Sequence, residues 1–99
     1  MLERVEPSAV VRLNRAVAVA MTEGPREALA ILDSLDESGA LDAFHLLHAA
    51  RAEFSERLGR FAEAERSFAR ALELATNESE RRFLSRRLAE VRDLVHPGR

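Results

Sequence analysis

The chain reads as an all-α protein of five helices, and three observations predict that class. Only four Gly and three Pro punctuate its 99 residues, and the aromatic residues are five Phe without Trp or Tyr, which leaves little for the turns and aromatic strands of a β-rich fold. Apolar residues recur instead at steps of three and four, the period of a helix with one face inward. Hydrophobic residues at 46% and charged residues at 32% belong to a globular chain rather than a disordered tail, and the length suits one domain, with no room for a second catalytic one.

Each helix follows from its own signals. Ser8, after Pro7, is placed to cap the free amides of Ala9 to Val11, and Gly24 supplies a left-handed stop after Glu23. Between them Val10, Leu13, Val17 and Met21 form a stripe, but the run AVAVAM from Ala16 to Met21 is apolar on every face, the pattern of a helix covered on two sides. Pro25 suits the first turn of helix two, which carries Ala28, Leu29, Leu32 and Leu35 to a stop around Ser38 and Gly39. Helix three is predicted from Asp42 to Leu58, with Phe44, Leu47, Ala50, Phe54 and Leu58 as its stripe and Gly59 as its end. Helix four is the clearest amphipathic segment: Phe61, Ala64, Phe68, Ala71, Leu72 and Ala75 face inward, and Glu63, Glu65, Arg66 and Arg70 outward. Asn77 and Glu80 have the spacing of a capping box for helix five, whose stripe is Leu84, Leu88, Val91 and Val95 before His-Pro-Gly.

An internal repeat runs through this order. Gly24 and Gly59 are 35 residues apart, while Ala28 and Ala64, and Leu32 and Phe68, are each 36 apart. A small residue at the turn lets two helices approach, Ala at their crossing keeps them close, and a large apolar residue four positions later fills the gap. That is the physical content of a tetratricopeptide-type repeat. The segment LGRFAEAERSFARALELATN, Leu58 to Asn77, resembles the second half of such a repeat, with Gly59, Phe61, Ala64, Phe68 and Ala71 at the family's spacing. Thr76 stands where the family usually has proline, and His48 and Ser55 stand where helix three would carry large aromatics. The expected architecture is a single domain over 1–99: tetratricopeptide-like hairpins over 8–38 and 42–75, then a capping helix over 78–95, in a right-handed helical-repeat array.

A second resemblance covers most of the chain. VRLNRAVAVAMTEGP (Val11 to Pro25), FHLLHAARAEFSERLGR (Phe44 to Arg60) and NESERRFLSRRLAE (Asn77 to Glu90) are similar, in that order, to the C-terminal extension of one group of bacterial extracytoplasmic-function sigma factors. In that group a tetratricopeptide-like domain follows the two DNA-binding sigma regions. The resemblance implies a protein-protein interaction module that modulates transcription initiation by contacting the sigma regions or RNA polymerase. The promoter-recognising regions are not among these 99 residues, so Met1 is expected to begin a cloned piece or a truncated reading frame. The alternative is a free-standing adaptor that binds an extended peptide.

Composition narrows the remaining classes. There is no cysteine, which removes disulfides, thiolate metal sites and cysteine nucleophiles and fits a reducing cytosol. No run of about 18 apolar residues appears, and Glu3, Arg4 and Glu6 do not make a signal peptide, so a cytoplasmic protein without membrane contact is expected. The net charge of −2 announces neither nucleic acid nor an acidic ligand, although six of the fifteen Arg fall in residues 81–99, and Lys is absent. Phosphate loops, HExxH and a serine elbow are all missing, and neither catalysis nor a cofactor is expected.

Four groups remain as candidates for contact. Asp42, His45 and His48 follow at steps of three and could line up a carboxylate and two imidazoles, but a metal would need further donors, so His45 and His48 are read as polar packing near a groove, one bonded to a neighbouring carbonyl. Asn14 interrupts the stripe of helix one, either as a buried amide bonded to a neighbouring helix or as a contact to a bound segment. Arg81, Arg82, Arg86 and Arg87 form a basic face with no helix-turn-helix reader beside it, which argues against sequence-specific DNA binding. They are read as a solvated capping face with salt bridges, or else, with Arg82 and Arg86 foremost, as a docking patch for an acidic protein surface. Finally, Asn14, Val17, Ala18 and Met21 on helix one offer more apolar surface than helix two alone covers, which predicts docking on sigma-region helices or on a second copy of the chain.

Overall fold

The computed structural model describes residues 7–39, 41 and 43–98. Among these residues the structure is all-helical, without strands, in the order α1 (Pro7–Thr22), α2 (Pro25–Ser38), α3 (His45–Arg57), α4 (Phe61–Leu74) and α5 (Glu78–Val95). No helix among the described residues is long and apolar enough to cross a membrane.

Helix α1 opens at Pro7, so Ser8 lies inside it rather than capping it. Proline has no amide hydrogen to leave orphaned and its φ is already helical, so it belongs at the first helical position. At the other end the amides of Glu23 and Gly24 both donate to the Val19 carbonyl, at 2.7 and 3.1 Å. Gly24 then takes φ 110°, a region that L side chains rarely adopt, and Pro25 starts α2 at once. The two-residue link folds α2 back on α1.

The start of α3 differs from the predicted Asp42. The helix begins at His45, because Phe44 is extended (φ −97°, ψ 107°) and its amide closes a turn onto the Leu41 carbonyl at 2.9 Å. Leu41, at the head of this turn, is fully buried in the core. Asp42 itself lies outside the described residues. Helix α5 is capped as predicted on one side, with the Asn77 Oδ1 accepting the Glu80 amide at 3.0 Å. The reciprocal half is absent among the described residues: the Glu80 carboxylate goes to His45 Nε2 instead, at 2.9 Å, and ties α5 to α3.

Two apolar clusters meet at α3. One joins α1 and α2 to Leu41, Leu47 and Phe54; the other joins Ala52 to Ala64, Phe68 and Ala71 of α4 and to Leu84, Leu88 and Val91 of α5. Helix α3 therefore has no single apolar face, since Leu47 and Phe54 point into one cluster and Ala52 into the other. Ala52 and Ala64 are both fully buried where α3 and α4 cross, and small side chains on both helices let the backbones approach.

Charged side chains brace the same helix from both directions. Arg51 of α3 reaches Asp33 at 2.9 Å and also Asp36, both on α2. Arg87 of α5 holds Glu53 at 3.2 Å and also Glu56, both on α3, with Glu90 of its own helix, and its guanidinium lies over the Phe68 ring at 5.2 Å. Burial alone would lower the Arg87 pKa, but the hydrogen bonds to Glu90 and Glu53 and the charges of Glu53 and Glu56 together outweigh it, so the group sits above its ordinary value. Arg81 closes a helix end instead. Its Nη1 donates to the carbonyls of Leu72 and Ala75, at 2.7 and 3.0 Å, and satisfies the open end of α4.

Candidate functional site

Helices α1, α3 and α5 leave an apolar groove of about 290 Å³ between them. From α1 it takes Leu13, Asn14 and Val17; from α3, Leu46, Ala49, Ala50 and Glu53; from α5, Phe83. Val17, Leu46 and Phe83 are 44, 45 and 44% exposed, so three large apolar side chains from three helices stand half in water around a floor of alanines. Isolated exposed apolar residues are ordinary on a small protein; three converging on one hollow are not.

Local packing explains why each of them is left out. On α3, Leu46 lies beside Leu47, which takes the inward position, and points away from both clusters. On α5, Phe83 is displaced in the same way from the Leu84, Leu88 and Val91 stripe that packs on α4. On α1, the buried positions are Ala9, Leu13, Ala16 and Ala20, a narrow and mostly alanine stripe, and Val17 stands at its edge.

The polar groups of the groove are few. Asn14 is exposed, and its side chain bonds to no other described residue, so it is not the buried amide that one reading of the sequence expects. Glu53 is held by Arg87. At the α5 rim the Arg86 guanidinium lies 5.8 Å from the Phe83 ring centroid, within cation–π reach. Arg82 and Arg86 are both exposed and pair with no carboxylate among the described residues, in contrast to Arg51, Arg87 and Arg92.

The other predicted contact residues divide. Met21 is 80% exposed one turn beyond Val17, and Ala18 is exposed beside it, so α1 is not covered on two sides by the described residues. His45 and His48 are half-buried on α3 and do not line the groove; His45 meets a carboxylate, Glu80, rather than a carbonyl, with its ring edge-on to Phe44 at 6.0 Å. Among the described residues no three His, Cys, Asp or Glu side chains are grouped to hold a metal ion. Sequence reasoning missed Leu46, Ala49, Glu53 and Phe83. The available signal was that Leu46 and Phe83 are large apolar residues lying off the stripes of their own helices.

Two further hollows are walled by charge. One, of about 370 Å³ between α1 and α2, is lined by Arg12, Arg15, Ala30, Ile31 and Ser34, with Arg12 donating to Ser34. The other, of about 290 Å³, is lined by Glu65, Arg92, Asp93 and His96, where Glu65 takes Arg92 at 3.2 Å and lies 3.7 Å from His96. In both, part of the polar lining is already engaged by its own neighbours.

No protein-family profile matches the chain, and no solved structure matches it. An uncharacterised protein of Rhizobium meliloti (strain 1021) is 46% identical to it over 87 residues, which make up 88% of this chain and 20% of that protein. The chain thus spans about a fifth of the length of the curated relative it matches.

Proposed function

We propose that this chain is a protein-protein interaction module, built as two tetratricopeptide-like hairpins with a capping helix, that serves as the C-terminal extension of an extracytoplasmic-function sigma factor. It works in the cytoplasm on the sigma regions or RNA polymerase, with no catalysis, cofactor or sequence-specific DNA contact of its own. The observation that carries an interaction role is the convergence of Val17, Leu46 and Phe83 on one open groove. Equivalent positions support the repeat arrangement: Ala28 and Ala64 are both fully buried, as are Leu32 and Phe68, and Gly24 and Gly59 both take positive φ. The sigma-factor part rests on the resemblance of three sequence blocks, and a relative of which the match covers 20% is consistent with a module that belongs to a larger protein.

Co-elution tests this reading. The chain, mixed with core RNA polymerase or with the two sigma regions of an extracytoplasmic-function sigma factor, is expected to co-elute with one of them on size exclusion. Phe83→Asp should abolish the complex while circular dichroism stays that of the wild type. A folded chain that binds neither refutes the sigma assignment.

A further inference from the structure

We propose that the groove between α1, α3 and α5 receives an amphipathic helix with an acidic flank, rather than an extended peptide. The inference rests on the interaction role above and names the partner's chemistry.

Backbone hydrogen bonding decides the conformation. A strand laid along the groove would bring an amide and a carbonyl per residue against apolar walls, and buried backbone groups left unpaired are costly. The walls are helices, whose interior backbone groups are already bonded, so only side chains can serve a bound strand. Among the residues lining the groove those are Asn14, whose amide is open, and Glu53, which Arg87 already holds. One amide cannot satisfy a strand crossing three helices. A helix satisfies its own backbone and brings only an apolar stripe, which is what Val17, Leu46 and Phe83 over the alanine floor accept.

Charge decides the flank. Phe83 has Arg87 and Leu84 on its inner side and Arg82 and Arg86 on its outer side, as their positions around α5 require. Arg87 is committed to three carboxylates, whereas Arg82 and Arg86 have none among the described residues, and Arg86 already lies over the Phe83 ring. An incoming helix seated on Phe83 would carry the residues beside its apolar stripe past these two guanidinium groups. Glu or Asp there gains charge-assisted pairs, and Lys or Arg meets like charge.

The test uses the whole chain and two labelled synthetic helical peptides of about 18 residues, long enough that an isolated helix is not marginal. Both carry Leu at the same helical spacing; one has Glu on the flanks and the other Lys. Fluorescence anisotropy should show the Glu peptide binding at least about tenfold tighter than the Lys peptide, with Phe83→Ala costing a further factor of about ten. The preference should shrink as salt rises. Reversing Arg82→Glu and Arg86→Glu together should invert the preference, and Arg66→Glu on the outer face of α4 should leave it alone. A central proline in the Glu peptide should abolish binding; if that peptide binds as well as its parent, the occupant is extended and the proposal fails. It also fails if the Lys peptide binds equally well, or if the chain self-associates through the groove and the Glu peptide does not displace the second copy. Binding of the Glu peptide without any complex with sigma regions or polymerase upholds the groove chemistry and removes the sigma assignment. A polymerase or sigma complex that the Glu and Lys peptides displace equally does the reverse.

Discussion

Helices α1 and α3 invert each other. Helix α1 carries the most continuous apolar run in the chain, AVAVAM, yet it is covered on one side, and Val17, Ala18 and Met21 stay in water. Helix α3 has its apolar residues interspersed with His, Arg and Glu and spread over more than one face, and apolar clusters pack on two of its sides. Apolar content thus records how much surface an element could bury, and position in the fold decides how much it does bury.

Truncating Leu47, fully buried on α3, should have the largest effect. Leu47→Ala is expected to lower stability by about 2–5 kcal/mol in urea unfolding, whereas Val17→Ala on α1 should cost less than about 0.5 kcal/mol. Equal losses at the two positions would erase the distinction between the helices. The α3–α4 crossing gives an intermediate effect. Ala64→Phe has no space against Ala52 and should cost about 1–3 kcal/mol, seen as a drop in thermal midpoint, and an unchanged midpoint would mean that the helices do not cross at these alanines. The smallest effect belongs to the outer face of α1. Ala18→Glu combined with Met21→Glu should leave stability within about 0.5 kcal/mol of wild type and helicity intact; a larger loss would show that this face is covered after all.

How far these features could be read from sequence depended on how local they are. Helix ends were legible where one residue type decides them, as at Gly24, Gly59 and the Asn77 cap. The start of α3 was not, because the bond from the Phe44 amide to the Leu41 carbonyl goes with the burial of Leu41 in the core, a tertiary contact with no local signature. His45 and Glu80 are 35 positions apart, so nothing in either neighbourhood announced the pair that takes Glu80 away from its capping box. The four arginines of α5 looked alike in sequence and separate in space: Arg81 bonds to the end of α4, Arg87 is committed to carboxylates of α3 and α5, and Arg82 and Arg86 remain at the rim. The α1 wall of the groove was anticipated at Asn14 and Val17. The walls on α3 and α5 needed the relative rotation of three helices, which one sequence does not provide.

Packing chiefly between chain neighbours also sets how the domain opens and closes. Most of its buried surface joins stretches of chain linked by short turns, so little loop-closure entropy is lost before burial begins to reward it, and such low-contact-order topologies fold in about microseconds to milliseconds. The same topology grades the protection of the backbone amides. Gripped from two sides, α3 is expected to open only with the whole domain, while α1, held mainly by α2 and lightly by α3, is expected to open more readily than α3. A helix seated in the groove would bridge α1 to α3 and α5, so a partner's affinity would appear directly as slower exchange in the first helix.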